Sequence, residues 1–126
     1  MVIVVCGVMY NKAGRILMGM RGGRNLGKKD GNRGKWEFPG GQLEHGESMN
    51  ECLKREWKEE LNLEIEIDTL IHRFNFKKLI CIFITGTIVD EENIKMLDHE
   101  DIGFFTKEQI YDLNIFEEDI VVVDKL

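Results

Sequence analysis

A mixed fold, in α/β or α+β order, is what this sequence predicts, and three observations carry the expectation. Apolar segments rich in β-branched residues recur along the chain, from "VIVVCGVMY" at 2–10 to "LICIFITGTIV" at 79–89. Two other segments open with the capping-box pattern of a helix start, Ser48-x-x-Glu51 and Thr106-x-x-Gln109. A length of 126 residues suits one domain over 1–126 with one core, and no repeat, low-complexity run or linker divides it.

The elements follow in order. Val2–Tyr10 reads as a buried strand, "NKAG" (11–14) as a turn, and Arg15–Met20 as the returning strand. Residues 21–35 form a loop with five glycines and six basic residues against one aspartate, a local charge of about +5. "WEFPGG" (36–41) reads as a short strand ending in a turn at the only proline. A helix is expected from Ser48 to about Leu61, closed by Asn62, since Asn follows Gly in preference for the left-handed cap. "LEIEID" (63–68) alternates as a strand should, and 71–76 is placed to continue it. Lys77 and Lys78 mark a turn before the strand at 79–89. A polar loop, "DEENIKMLDHED", leads to a short strand at 102–105, the helix opened by Thr106, and a last helix over 116–126. Acids crowd the start of that last helix, its positive end.

Composition excludes several classes of function. With 43% apolar and 32% charged residues the chain is globular in kind. A net charge of −6 argues against a nucleic-acid polymer as partner, because such binding needs excess Lys and Arg. "MVIVVCGVM" lacks a basic flank and is too short to span a bilayer, so neither leader, membrane partner nor anchor is expected, and the cytoplasm is the expected compartment. Cys6, Cys52 and Cys81 share no metal-binding or redox spacing and read as small core residues. His45, His72 and His99 give no zinc spacing.

The sharpest signal is acidic. After Gly41 come Glu44, Glu47, Glu51, Glu56, Glu59 and Glu60, and a solvated helix face is the plain explanation. At roughly 100° per residue from Met49, however, Met49, Cys52 and Leu53 define the buried stripe, and Glu56 and Glu60 fall about 20° either side of its centre. Glu59 lies at its edge, while Glu51, Lys54, Arg55 and Lys58 fall on the water side. Carboxylates turned inward are costly without a counter-charge, and one guanidinium cannot neutralise three of them. A hard divalent cation can.

The stretch "GQLEHGESMNECLKREWKEELNL" resembles the Nudix box, Gly-x5-Glu-x7-Arg-Glu-U-x-Glu-Glu-x-Gly-U with U a bulky apolar residue. Gly41, Glu47, Arg55, Glu56, Trp57, Glu59, Glu60 and Leu63 match, and Asn62 stands where that family has glycine. The resemblance implies a Nudix-type α/β/α sandwich with a mixed β-sheet between helices. It also implies hydrolysis of a nucleoside diphosphate linked to a further group, by water attacking a pyrophosphate phosphorus. Carried over residue by residue, Glu56, Glu59, Glu60 and the Gly40 carbonyl hold Mg²⁺ (or Mn²⁺), with Glu47 and Arg55 orienting them.

The resemblance to MutT-like members further implies Arg21 at the phosphates and Asp119 reading the base; Lys35 is expected at the phosphates and Phe76 against the base, with Trp36 as a further stacking candidate. Arg24, Lys28, Lys29 and Arg33 share the basic loop. Glu100 is the first choice of general base, with Asp98 and Asp101 beside it. The expected substrate is a nucleoside triphosphate, oxidised or non-standard bases included, cut to monophosphate and pyrophosphate by a MutT-like enzyme. ADP-ribose, a nucleotide sugar or a dinucleotide is the alternative. A module that senses nucleotides without turnover is a second one, and the chain is expected to be a monomer or homodimer.

Overall fold

The computed structural model describes residues 1–22 and 34–126. Arg24, Lys28, Lys29 and Arg33 of the basic loop lie outside the described residues. The strands are β1 (Val2–Tyr10), β2 (Ile16–Met20), β3 (Trp36–Glu37), β4 (Gly40–Gln42), β5 (Ile65–Phe76), β6 (Leu79–Ile88) and β7 (Asp101–Phe105). The helices are α1 (Met49–Leu61), α2 (Lys107–Tyr111) and α3 (Glu117–Asp124), with one 3₁₀ turn at Glu91–Asn93.

One mixed sheet runs β3-β2-β1-β6-β5, with β4 also on β1 and β7 on β2. β1 and β6 are parallel from Val2↔Leu79 to Tyr10↔Thr87, and the other pairs are antiparallel. β2 begins at Ile16 rather than Arg15. Arg15 is spent on closing the turn, its N–H donating to Asn11 Oδ1 at 2.9 Å and its carbonyl accepting from Asn11 at 2.8 Å. Residues 65–76 form one strand with two register shifts, and Lys77 takes φ 55° to turn the chain into β6.

The segment 36–41 is two strands, not one. Pro39 has no N–H to give a ladder, so the chain breaks there: β3 pairs with β2, and β4 crosses to β1. The Pro39 carbonyl is satisfied twice, by Gly7 N–H at 2.8 Å and by Trp57 Nε1 at 2.9 Å. Gly7 makes this possible, because a Cβ there would sit 2.6 Å from the indole nitrogen.

Strand alternation then divides the apolar residues between two faces. Val5, Met9 and Leu17 meet Cys52, Leu53, Trp57 and Leu61 of α1. Val8, Ile16, Met18 and Phe83 meet Ile110, Val122 and Val123 of α2 and α3. No helix among the described residues is long and apolar enough to cross a membrane.

Trp57→Phe tests the junction of β1, β4 and α1. It removes one ring and one of two donors to Pro39, so chemical denaturation should show a loss of roughly 1–2 kcal/mol with an unchanged denaturant slope.

Candidate active site

The site is built on α1, whose ends are both defined. Ser48 Oγ accepts from Glu51 N–H at 3.1 Å and Glu51 returns the bond to Ser48 N–H at 2.9 Å, so the expected capping box forms. Asn62 closes the helix at φ 56°, donating its N–H to Lys58.

Arg55 organises the acids around it. It donates to both oxygens of Glu47, from Nε at 3.0 Å and Nη2 at 2.7 Å. Nη1 reaches Glu56 at 2.9 Å and Glu59 at 3.3 Å, and Nη2 also reaches the Gln42 carbonyl at 3.2 Å. The pairing with Arg55 lowers Glu47 to about 2. Helical spacing put Arg55 on the water side, yet its side chain is only 25% exposed. Glu47 and the Gln42 carbonyl, from the segment leading into α1, lie against it.

The three box acids part company. Glu56 and Glu60 turn inward, while Glu59 stays 59% exposed at the rim. Met49, taken as the centre of the buried stripe, is itself exposed; the stripe centres on Leu53, Trp57 and Glu60. Burial raises Glu60 to about 10, helped by contact with the Asp98 carboxyl and by the charge of Glu56. Burial also raises Glu56, against the pull of Arg55. Glu60 Oε2 is buried without a hydrogen-bond partner. The Glu56 carboxylate lies over Gly41, where any Cβ would collide with it, and Val5 carbonyl packs against Gly40 in the same way. Glycine at both positions is therefore steric rather than conformational.

Of the three loop acids, Asp98 meets Glu60; its carboxyl, that of Glu60 and the His99 ring offer ligand atoms within 4.8 Å of one another. Glu100 sits further along the rim, its side chain against Gly22, and Asp101 begins β7 with its carboxyl on Ile102 N–H.

A second region opens across the sheet on the α3 side, a cavity of about 570 Å³. Phe74 and Phe76 stack at its mouth with centroids 6.2 Å apart, Phe76 largely exposed. Asp119 lies buried within it, raised to about 7 first by burial, then by Glu37 and Glu118, with Lys35 opposing. Lys35 lines the same cavity as Asp119, its ammonium 5.0 Å from the Phe116 ring centroid. Arg21 also lines the cavity, Nη1 3.0 Å from Glu37 Oε1. Trp36 points away and packs edge-on against Phe105, a core role. Cys6 and Cys81 are not sealed core residues: both line the cavity, with thiols raised by burial.

Two residues were missed. Glu37 touches both regions, bonding Arg21 through one oxygen and His99 Nε2, at 2.9 Å, through the other. Its signal was a lone charge inside the apolar "WEFP"; His99, 62 residues away in sequence, gave none.

A sequence model of the NUDIX domain matches residues 2–125. Over 64 residues the chain is 36% identical to a protein named nucleoside triphosphatase NudI from Enterobacter sp. (strain 638), a match spanning 51% of this chain and 42% of that protein. Over 45 residues it is 42% identical to an 8-oxo-dGTP diphosphatase of Proteus vulgaris, spanning 32% of this chain and 40% of that one. The matches thus span less than half the length of these curated relatives. Among solved structures, the crystal structure of the MutT protein from Methanosarcina mazei Go1 superposes with a TM-score of 0.82 at 25% identity, covering 98% of this chain and 90% of that one.

Proposed function

The chain belongs to the Nudix hydrolase family, and on that premise we propose that it is a divalent-metal-dependent pyrophosphohydrolase of nucleoside triphosphates, releasing a nucleoside monophosphate and pyrophosphate. The observation that carries the proposal is the combination of a buried carboxyl oxygen without a hydrogen-bond partner, Glu60 Oε2, with an aromatic cavity that holds a second buried acid, Asp119. One region suits a cation and a pyrophosphate. The other suits a base.

The donor set fits a hard cation: a desolvated carboxylate that carries a proton only for want of a counter-charge, with further carboxyl oxygens around it. Glu56, Glu59, Glu60 and the Gly40 carbonyl would hold Mg²⁺ or Mn²⁺. Such an ion supplies neutralisation of the pyrophosphate charge and activation of water. Glu47 and Arg55 keep Glu56 and Glu59 in place, fixing the direction of their oxygens. Arg21 meets phosphate oxygens, and Glu37 holds its guanidinium at the cavity edge. Glu100, exposed beside Gly22, accepts the proton of the attacking water. The base stacks on Phe76, and Asp119 reads its polar edge.

The names of the two curated relatives support a triphosphate, with oxidised guanine as one base to try first. A panel of (deoxy)nucleoside triphosphates, 8-oxo-dGTP, ADP-ribose, nucleotide sugars and dinucleotides, with products identified, tests this. Highest kcat/KM on a triphosphate, with pyrophosphate released, is expected. Preference for any of the other three classes would replace the substrate assignment, and no turnover of any would favour a sensing module.

Asp119→Asn tests the base-reading role. Wild-type Asp119 loses its proton through about pH 7, so its group changes from donor to acceptor only across that range. The Asn variant should show a pH-independent base preference between 6 and 8, with kcat/KM for the best base lowered roughly 10–100-fold. Because burial raises the acid, its folding penalty accrues as pH rises from the unfolded value through about 7. The variant should therefore melt no lower than wild type at pH 8. An unchanged pH profile of base preference would remove Asp119 from the assignment.

A further inference from the structure

We propose that His99 is itself a metal ligand, its Nδ1 joining the carboxyl oxygens of Glu60 and Asp98 in a mixed nitrogen–oxygen site that favours Mn²⁺ and later first-row ions over Mg²⁺. The inference rests on the metal-dependent function proposed above and adds to it two ligands, Asp98 and His99, and an ion preference.

His99 is 2% exposed, and its two ring nitrogens have different fates. Nε2 lies 2.9 Å from Glu37 Oε2. A carboxylate whose other oxygen accepts from Arg21 can only accept here as well, so Nε2 carries the proton. In the neutral ring Nδ1 is then left with a lone pair, and it has no hydrogen-bond partner. A buried acceptor in that condition costs free energy that folding must offset elsewhere. The same holds for Glu60 Oε2, the other side-chain atom found buried and unpartnered among the described residues. The two residues belong to one cluster: ligand atoms of Glu60, Asp98 and His99 lie within 4.8 Å of one another.

The ring is held for this task from three directions. Leu97 N–H donates to the Glu60 carbonyl at 3.0 Å and Glu100 N–H to the Met20 carbonyl at 3.0 Å, so the loop is tied to α1 on one side of His99 and to β2 on the other. Gly19 of β2 lies flat beneath the imidazole: a Cβ there would come 2.5 Å from Cδ2 and 2.7 Å from Nε2. The bond to Glu37 sets the tautomer, as an outer carboxylate does for ligating histidines generally.

The consequence is selectivity. Mg²⁺ takes oxygen donors almost exclusively and keeps much of its water, whereas imidazole suits the transition ions, with affinity rising from Mn²⁺ onward. A site with one imidazole nitrogen and two carboxyls therefore discriminates where an all-oxygen site would not.

The test uses the whole chain, loaded with Mn²⁺ alone and no nucleotide. Electron spin-echo spectra are recorded with natural histidine and with ¹⁵N-labelled histidine. Nitrogen modulation that changes on labelling is the expected result. In His99→Gln, the amide can retain the bond to Glu37 and offers nothing at the Nδ1 position. That variant should lose the modulation and bind Mn²⁺ about tenfold or more weakly, with Mg²⁺ affinity changed by less than about threefold. The labelling result in the wild type decides the matter even where the variant does not fold. His72 is bonded at both ring nitrogens, to Glu118 and Lys125, and His45 is exposed and outside the cluster, so labelled His45→Gln should keep the modulation; its loss there overturns the His99 assignment. Bound Mn²⁺ with no histidine nitrogen, or an equal loss of Mg²⁺ and Mn²⁺ in the variant, overturns the His99 assignment and leaves the proposed function standing. Failure of the wild type to bind Mn²⁺ or Mg²⁺ overturns both.

Discussion

Glu60→Gln should lower kcat/KM by orders of magnitude while making the metal-free protein more stable above neutral pH. The activity loss follows from removing a charged donor where the proposed cation sits. The gain in stability follows from burial. Glu60 is held up to about 10, so from about pH 4.5 upward the unfolded chain sheds its proton and the folded chain keeps it. Fewer protons are then bound by the unfolded state, and stability falls as pH rises through that window. Glutamine has the same shape and nothing to titrate, which removes the penalty. Metal binding to the wild type must likewise expel the proton, so affinity should rise with pH and titration calorimetry in buffers of differing ionisation heat should detect proton release. The variant should bind the ion weakly and release none. Melting temperatures at pH 5 and pH 8 with chelator, beside kinetics with Mg²⁺, give the full comparison. A variant that is less stable at pH 8, or that turns over normally, would show that Glu60 is neither strained by burial nor a ligand.

What sequence could show here was whatever is local. Ser48 with Glu51 and Thr106 with Gln109 lie one helical turn apart, and both capping boxes formed as expected. The left-handed cap at Asn62 is likewise decided by neighbours in the chain. Helical spacing was enough to show Glu56 and Glu60 turning inward, but not to show that Arg55 would be covered, because the cover comes from the segment before the helix rather than from the helix. Pro39 was visible as a break, and its role as an acceptor for Gly7 and Trp57 was not.

The pairing of distant strands was the larger blind spot. Cys6 and Cys81 face one cavity because β1 and β6 run parallel in the register Val4↔Cys81, and no local signal announces that register. Glu37 and His99 meet only because β7 and its preceding loop return to β2, beside β3. A carboxylate and an imidazole that read as unrelated became the link between the cavity and the acidic crevice.

Arg55→Lys is the second large effect, and it separates charge from geometry. Lysine keeps the positive charge but offers one ammonium where the guanidinium makes a two-bond fork to Glu47 and reaches Glu56, Glu59 and the Gln42 carbonyl as well. Were Arg55 only a counter-charge for the acidic helix, the substitution would be nearly silent. If its planar fork aims Glu56 and Glu59, the Lys variant should lose roughly 10–100-fold in both metal affinity and kcat/KM. The Glu47 carboxyl, lowered to about 2 chiefly by its bonds to Arg55, should titrate closer to an ordinary glutamate. That shift is readable by side-chain carboxyl NMR in the metal-free protein, independent of turnover. Sign and window follow from the lowering: the stabilisation from Glu47 is present above its unfolded value and is lost as pH falls through that value toward about 2, so the Lys variant should give up less stability than wild type across that acid range. Arg55→Ala, which removes charge and fork together, should fall below Arg55→Lys in metal affinity by less than Lys falls below the wild type if aiming the carboxylates counts for more than neutralising them, and by more if charge is what matters.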